Sequence, residues 1–361
     1  MNILYMINFA GKGGSEKYIK NLANFVSNNG EKVFFCYNIK GLLTEQMEGL
    51  AVESFQLNMS SPLDIKAALK LKNYCKKNHI DIIHTQFARE NYISILAKLF
   101  GNRAKIVHTC HINTYNNFFW RVLNRFFTGE NHRIIAVCNS VKNLLVNNNY
   151  PEKKVDVIFN GIEYREDIEK LDILRKELKL SENTFIFVTL TRFSEEKGIF
   201  FLLKAALRLK EENKNFALVI AGDGDLYEQA VQYIKGNSLT EHVFLLGYRN
   251  DGDKLLLSAD CFINSSASEA LSFAILEAME ARLPVIATDV GGNPDIINKN
   301  TNRGRLVPYG ESDALAEAME YMMDNPKACE EMSVNGRSAV KDIFNVENSV
   351  RKTYEIYKRA Q

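Results

Sequence analysis

The sequence predicts an α/β protein with two doubly wound, mainly parallel sheets. Short apolar stretches typical of buried strands alternate with amphipathic stretches at helical spacing along most of the chain. Strands that are apolar on both faces and joined by crossover helices favour parallel pairing. The alternation restarts at Thr184 after the polar stretch Glu163–Glu169, and 361 residues exceed what one core comfortably holds.

The composition is that of a globular protein and gives no reason to expect nucleic acid as a partner. Hydrophobic residues make up 46% of the chain, charged residues 25%, and the formal net charge is +1. The six cysteines include no Cys-x-x-Cys pair, which favours buried thiols in a reducing compartment. The apolar start, Met1–Ala10, has no basic leader, and no apolar run reaches about 18 residues. We therefore expect a cytoplasmic protein.

A glycine-rich turn joins the first predicted strand, Asn2–Phe9, to the first predicted helix, Glu16–Asn29. The turn lacks the third glycine of the dinucleotide fingerprint and the spacing of a P-loop. We interpret Gly13 and Gly14 as allowing a ligand to approach the backbone closely, with a plain tight turn as the alternative.

Strands and helices continue to alternate through the rest of the first half. The predicted strands are Lys32–Tyr37, Val52–Leu57, Asp81–Thr85, Lys105–Cys110, Arg133–Cys138 and Val155–Phe159; the predicted helices are Leu63–Asn78, Asn91–Phe100, Phe118–Phe127 and Val141–Asn149. Ligands of such sheets bind at the carboxyl ends of the strands, where His84 and His111 lie. We expect His111 to contact a ligand, whereas for His84 a structural role is favoured.

The predicted helix Phe118–Phe127 is apolar over most of its circumference and is interrupted by Arg121 and Arg125. Burial against other elements is the simpler interpretation. A face that meets lipid, or a lipid-borne substrate, is the alternative, and it would make the protein peripheral on the inner face of the cell membrane.

The second half places two cations at its first strand-to-helix turn. The predicted strand Thr184–Leu190 is followed by Arg192 and Lys197 and then by the helix Ile199–Glu212. Two cations beside the N–H groups of a helix start would neutralise an anion. The Asp-Gly-Asp triplets at 223–225 and 251–253 are typical turn sequences, so we predict no metal site.

Two carboxylates frame the stretch Ser265–Pro284, around which we expect the site to be organised. Glu269 should precede a helix that Ser268 or Ser272 caps, and Glu277 should lie about two turns into that helix. Eight residues of helix span roughly 12 Å, comparable to the distance from sugar to ribose in a diphosphate-linked sugar. The N–H groups near Leu271–Phe273 would then face the diphosphate.

The last predicted helix, Val346–Arg359, has one apolar face and should dock outside the second core. We assign residues 1–165 and 346–361 to the first domain and residues 166–345 to the second.

These motifs, in this order, resemble the family 4 glycosyltransferases, which are retaining enzymes of the GT-B fold. The resemblance rests on the glutamate pair Glu269 and Glu277, on Arg192 and Lys197, on Asn160-Gly161, on the Gly13-Gly14 loop and on His111. The usual Gly-Phe-Gly after the first glutamate is replaced by Ala270-Leu271-Ser272, which leaves less room beside the donor sugar. Thr191 and Leu283 also stand where glycine is usual.

The resemblance implies two Rossmann-like domains that face each other across a central cleft, with the acceptor on the first and the donor on the second. It implies hexosyl transfer with retention from a UDP- or GDP-sugar to a hydroxyl of a glycan or lipid-linked acceptor, without a metal or other cofactor. The implied catalytic residues are His111, Glu269, Arg192 and Lys197. The donor-binding residues would be Gly13, Gly14, Asn160, Arg192, Lys197, Gly222, Tyr248, Glu269, Ala270, Leu271, Ser272, Phe273 and Glu277. A non-hydrolysing nucleotide-sugar epimerase and a non-catalytic sugar-nucleotide-binding protein remain alternatives.

Overall fold

The structure is a computed structural model that describes residues 1–50, 52–111, 117–298 and 300–360. The strands in these ranges are β1 Asn2–Phe9, β2 Lys32–Ile39, β3 Glu53–Gln56, β4 Ile82–Thr85, β5 Lys105–Cys110, β6 Arg133–Ala136, β7 Val155–Val157, β8 Phe185–Leu190, β9 Phe216–Ala221, β10 Val243–Gly247, β11 Cys261–Asn264, β12 Val285–Thr288 and β13 Gly304–Val307.

The α-helices in the same ranges alternate with the strands as far as β13, which is followed by three consecutive helices. They are α1 Gly14–Asn28, α2 Leu42–Gly49, α3 Ile65–Lys77, α4 Ala88–Leu99, α5 Phe118–Phe127, α6 Asn139–Asn147, α7 Ile173–Leu178, α8 Ile199–Glu211, α9 Tyr227–Gly236, α10 Gly252–Leu257, α11 Phe273–Glu280, α12 Asn293–Ile296, α13 Ser312–Asp324, α14 Pro326–Asp342 and α15 Val346–Lys358. None of these helices is long and apolar enough to cross a bilayer.

The chain forms two compact units. Unit 1 comprises Met1–Asn160 and the C-terminal segment that begins at Val346, and unit 2 comprises Gly161–Asn345. The division therefore falls a few residues before the predicted boundary at residue 165.

Unit 1 is built on a parallel sheet with the strand order β3-β2-β1-β4-β5-β6-β7. Its interior strand β1 is buried on both faces, as its continuous apolar run predicts. Ile3, Tyr5 and Ile7 pack in the core that includes α1, whereas Leu4 and Met6 pack in the core that includes α3. The strand order reverses between β1 and β4, so the crevice of this sheet lies at their carboxyl ends.

Unit 2 repeats the design with a parallel sheet in the order β10-β9-β8-β11-β12-β13. Phe187, Leu218 and Ile263 form part of its core, together with side chains from α8 and α13. Here the order reverses between β8 and β11, so the segments that follow these two strands meet at the carboxyl edge of the sheet. The two parallel sheets with alternating helices confirm the predicted α/β class.

The C-terminal helix α15 completes the core of unit 1. Val350, Ile356 and Tyr357 are buried there, and the hydroxyl of Tyr357 bonds Nδ1 of His84. The other ring nitrogen of His84 bonds the Thr109 hydroxyl at 2.7 Å. His84 is fully buried with both nitrogens engaged, so its place in the fold is structural.

Some local expectations were wrong. The sequence pattern did not predict α2, and the stretch Ile168–Leu178, whose spacing predicts one helix, is helical only from Ile173. The outward face of α5 is not buried: Phe118 is 83% exposed and Phe126 is 71% exposed.

Glu90, in the first turn of α4, is a carboxyl group within the core of unit 1. Its side chain is fully buried, and burial raises its pKa from 4.5 to about 8, although the backbone N–H of Asn8 and the charge of Arg89 oppose the shift. Between these two pKa values the folded state binds a proton that the unfolded state has lost. Stability must therefore fall as the pH rises through this window.

We expect Glu90→Gln to raise the melting temperature at pH 8 and to have little effect at pH 5, because the amide cannot ionise. At pH 7 the substitution should raise the free energy of unfolding by about 3 kcal/mol or less. Thermal unfolding of both proteins across pH 5–8 measures it, with the exposed Glu48→Gln as the matched control. A difference between Glu90→Gln and wild type that does not change with pH would contradict the assignment.

A close backbone contact joins the segments that follow β8 and β11. Gly198 has φ +64°, and a Cβ atom built on it would lie 2.1 Å from the carbonyl oxygen of Ser265. Next to this contact, the Ser265 hydroxyl donates to the Lys197 carbonyl at 2.8 Å, and the N–H of Ala267 donates to the Glu196 carbonyl at 2.8 Å. Glycine is required here by both conformation and space.

We expect Gly198→Ala to lower the free energy of unfolding by about 1–3 kcal/mol, because the methyl group displaces the Ser265 carbonyl and strains the backbone. Urea denaturation measures the loss. Gly236→Ala is the control, since Gly236 has a helical backbone and, apart from its own helix, its Cβ would meet no atom of the described residues within 4 Å. Equal losses for the two variants would refute a special role for Gly198.

Candidate functional site

A polar cavity lies at the carboxyl edge of the sheet of unit 2, where the strand order reverses. Its volume is about 260 Å³. It is lined by the ends of β8 and β11 and the start of α11: Thr189, Leu190, Thr191, Arg192, Lys197, Asn264, Ser265, Ser266, Glu269, Ser272, Phe273 and Ala274. Five of the predicted site residues therefore share one cavity: Arg192, Lys197, Glu269, Ser272 and Phe273.

The central contact of this cavity is an ion pair between Lys197 and Glu269. Nζ of Lys197 lies 2.7 Å from Oε1 of Glu269, and the two side chains are 22% and 14% exposed. The Ser266 hydroxyl donates to the same carboxylate oxygen at 2.7 Å. Both charged groups are thus largely withdrawn from water, and each compensates the other.

Neutral side chains that the sequence analysis did not single out support this pair. The amide nitrogen of Asn264 lies 3.4 Å from Oε1 of Glu269 and 3.3 Å from the Ser272 hydroxyl. The Thr288 hydroxyl donates to the Ser266 carbonyl at 2.6 Å, and the Asn293 amide donates to Oδ1 of Asn264 at 3.3 Å. Asparagine at a strand end has many structural uses, so no sequence signal separated these residues from ordinary turn residues.

Helix α11 begins beside the ion pair. The Ser272 hydroxyl accepts from the N–H of Ile275 at 3.4 Å and caps the helix, as predicted. The N–H groups of Phe273 and Ala274 belong to the first turn, which has no intrahelical acceptors, and both residues line the cavity. Glu277 lies just over one turn into the helix rather than two, because the helix starts only at Phe273.

A salt bridge to the buried carboxylate of Glu280 anchors the C-terminal end of α11. The guanidinium of Arg165 makes a bidentate contact with Glu280, with Nη2 to Oε2 at 2.5 Å and Nε to Oε1 at 3.1 Å. Arg337 donates to the carbonyl of Glu280 at 2.6 Å. These bonds fix the helix that carries Glu277, and the sequence analysis did not foresee them.

The remaining predicted residues of unit 2 lie outside the cavity lining. Gly222 packs closely against the backbone of Thr191, because a Cβ atom at position 222 would lie 1.7 Å from the Thr191 carbonyl oxygen. Tyr248 is 62% exposed on the turn after β10. Leu271 is buried and Ala270 is half-buried, just before the helix.

In unit 1, three predicted residues lie at the carboxyl ends of strands or just beyond them. Gly13 is the N-terminal cap residue of α1, and Gly14 is the first residue of that helix. A Cβ atom on Gly13 would approach only the flexible carboxylate of Glu16, at 2.9 Å. Asn160 is buried at the end of the first segment of unit 1.

His111 follows β5 and contacts two side chains that set its orientation. Its Nε2 lies 2.8 Å from Oε1 of Gln86, and its ring meets the ring of Tyr18 edge-on at 5.1 Å. Burial, followed by the charge of His108, lowers the pKa of His111 to about 3. His111 is therefore neutral at pH 7, and with Gln86 accepting from Nε2 its Nδ1 is left as a hydrogen-bond acceptor.

Gln86 is a further candidate for the site that no sequence pattern indicated. It is fully buried at the end of β4, and its amide nitrogen has no hydrogen-bond partner among the described residues. Together with His111 it lines a small cavity of about 50 Å³. Within the described ranges, no three His, Cys, Asp or Glu side chains are grouped so that they could hold a metal ion.

Comparison with known proteins places both units in one family. Residues 171–339 match the profile of the glycosyl transferases group 1, and residues 12–166 match that of glycosyltransferase family 4. Taken together, the two profiles cover most of the chain.

Individual relatives agree with the profiles. The chain is 28% identical to the UDP-Gal:α-D-GlcNAc-diphosphoundecaprenol α-1,3-galactosyltransferase of Escherichia coli, over 87% of this chain and 84% of the relative. It is 26% identical to the N-acetyl-α-D-glucosaminyl L-malate synthase of Bacillus anthracis, over 85% and 82%. A glycosyltransferase crystal structure from Rickettsia africae ESF-5 has the same fold, with a TM-score of 0.88 at 24% identity over 99% of this chain and 98% of that one. The chain therefore belongs to the family 4 glycosyltransferases of the GT-B fold.

Proposed function

We propose that this glycosyltransferase moves a hexosyl unit from a UDP- or GDP-sugar to a hydroxyl of a glycan or lipid-linked acceptor, with retention at the anomeric carbon, in cell-surface polysaccharide biosynthesis. The observation that carries the proposal is the cavity of unit 2, which combines two cations, a helix start and a carboxylate. The E. coli relative supports the substrate classes, because its name specifies a UDP-sugar donor and a lipid diphosphate acceptor.

The positive groups of the cavity suit a departing nucleoside diphosphate. Negative charge develops on the diphosphate oxygens as the glycosidic bond breaks, and fixed donors stabilise that charge most strongly where water is excluded. Lys197, Arg192 and the N–H groups at the start of α11 all border the same 260 Å³. Because these groups supply positive charge, we propose that the transfer does not require a divalent metal.

The hydrogen-bond partners of Glu269 favour attack by the acceptor hydroxyl on the face of the sugar that the diphosphate leaves. They disfavour a covalent intermediate between the sugar and Glu269. Lys197 and Ser266 both bond its Oε1, which withdraws negative charge from the carboxylate and lowers its nucleophilicity. In this proposal, Glu269 orients the sugar hydroxyls and stabilises positive charge at the ring. Glu277, one turn into α11, holds the hydroxyls of the ribose.

His111 is proposed to accept a hydrogen bond from a sugar hydroxyl. Its low pKa keeps it neutral, so Nδ1 can serve as an acceptor over the physiological pH range. Gln86 is a positioning residue in this proposal, because it fixes the ring orientation and the tautomer through Nε2.

We expect Lys197→Ala to lower turnover by about 10²-fold or more, the size of one lost electrostatic donor. Glu277→Ala should mainly weaken donor binding, because its contact with ribose is the same in the ground and transition states. Initial rates with a panel of nucleotide sugars measure the first effect. The rise in melting temperature on adding the same nucleotide sugars measures the second.

The exposed Lys204→Ala on α8 is the matched control and should behave as wild type. Turnover should persist after treatment with EDTA, and the product should be an extended acceptor plus free nucleoside diphosphate. An isomerised nucleotide sugar would instead indicate an epimerase, and donor binding without turnover on any acceptor would indicate a binding protein. Near-wild-type kinetics for both site variants would refute the assigned roles.

Gln86→Glu and Gln86→Leu should distinguish the effect of the His111 pKa on activity from the effect of the His111 tautomer. A carboxylate at position 86 still accepts from Nε2 but raises the pKa of His111, so the acid limb of kcat/KM should move to higher pH. Leucine removes the acceptor and should lower kcat/KM by about tenfold at every pH, the value of one neutral hydrogen bond. The exposed Gln232→Glu serves as the control. Identical pH profiles for Gln86→Glu and wild type would disprove the contact.

A further inference from the structure

The outward face of α5 displays the largest group of exposed aromatic side chains on any one helix in the described ranges. Phe118 is 83% exposed, Phe126 is 71% exposed, Phe119 is 55% exposed and Val122 is 37% exposed. At 100° per residue these four positions fall within one arc of about 100°. We call these four residues the α5 apolar face.

The α5 apolar face is held in place by the opposite side of the same helix. The buried Asn124 accepts from the Tyr92 hydroxyl at 2.6 Å and donates to the Asn148 carbonyl at 2.8 Å. Trp120 packs edge-on against Tyr92 at 5.3 Å, and the Asn117 side chain caps the helix through the N–H of Trp120. The face is therefore part of an anchored helix, and its exposure is not explained by a poorly packed segment.

Positive charge borders the α5 apolar face. Arg121 and Arg125 are exposed and follow each other along one edge of it, and α5 contains no acidic residue. Just beyond the C-terminal end of the helix, Lys98, Lys105, Arg133 and Lys154 lie close enough to His132 for their charges to add to the effect of burial in lowering its pKa. The acidic groups paired with this cluster are Glu130 and Asp156.

We propose that the α5 apolar face docks on an anionic bilayer surface. The helix would lie parallel to the membrane, with its phenylalanines at the headgroup–acyl boundary and its arginines on lipid phosphates. Aromatic side chains with flanking cations are the composition that favours this location.

A second copy of the chain fits this face less well. Ten residues of helix are only about 15 Å long, so the face is small compared with the roughly 800 Å² that each partner buries in a stable interface. In a symmetric dimer with antiparallel α5 helices, the arginine edge of one copy would also lie close to that of the other. An anionic partner removes this repulsion.

The test is flotation of the full chain with vesicles of phosphatidylcholine that contain phosphatidylglycerol, compared with vesicles of phosphatidylcholine alone. We expect the chain to float with the anionic vesicles and to be released at high salt, because surface charges are then screened. Phe118→Ser combined with Phe126→Ser should abolish flotation. Arg121→Gln combined with Arg125→Gln should reduce the partition coefficient by about tenfold or more.

Matched controls come from unit 2. The exposed Val334→Ser tests the loss of an apolar side chain, and Lys204→Gln combined with Lys235→Gln tests the loss of two exposed cations; both should float as wild type does. All altered side chains on α5 are exposed, so melting temperatures should stay unchanged and confirm folding. Because no sugar is present, the result does not depend on the proposed reaction.

Three outcomes would overturn the proposal. Wild type could fail to float with anionic vesicles, or both α5 variants could float as well as wild type. Finally, wild type could bind no vesicles and sediment as a dimer, while the Phe118→Ser, Phe126→Ser variant sediments as a monomer. That result would make the face an interface between copies of the chain.

Discussion

The ion pair between Lys197 and Glu269 is the interaction on which the site of unit 2 depends. Two mostly buried charges are costly to hold unless each is satisfied, and here the carboxylate receives both the ammonium and the Ser266 hydroxyl. The pair can form only because Gly198 lets the segment after β8 approach the Ser265 backbone closely. The backbone contact that joins the two strand ends therefore also places a cation and a carboxylate side by side before any substrate binds. This preorganisation lowers the entropic cost of ordering the site on binding.

The two units offer different chemical environments at their strand ends. Unit 2 concentrates formal charge around a helix start, which suits a diphosphate. In unit 1, burial lowers the pKa values of His84, His108 and His111, so these three side chains are neutral at pH 7. Neutral hydrogen-bonding groups suit hydroxyls, since they can orient a sugar without competing for the phosphates. This contrast agrees with the assignment of the donor phosphates to unit 2.

The sequence was sufficient to predict the fold because its strongest signals are periodic. The continuous apolar run of β1 and the helical spacing of α1 allow few other structures. Five of the predicted residues border the cavity of unit 2, among them Lys197 and Glu269, which follow strands that become neighbours in a doubly wound sheet. What the sequence could not predict were pairings between distant positions that carry no local pattern, such as Arg165 with Glu280, or Gln86 with His111. The sequence leaves the start of α11 open between two caps for a similar reason, because only tertiary packing decides between Ser268 and Ser272.

The place of α15 has a consequence for biosynthesis. Its side chains Val350, Ile356 and Tyr357 fill the core of unit 1, yet the ribosome makes them only after all of unit 2. Unit 2 is one continuous segment, so all of its residues emerge while the core of unit 1 still lacks α15. During translation, the first segment of unit 1 must therefore keep an open apolar groove until α15 has been made. A chain that terminates near residue 345 would contain all of unit 2 but would lack the helix that completes the core of unit 1.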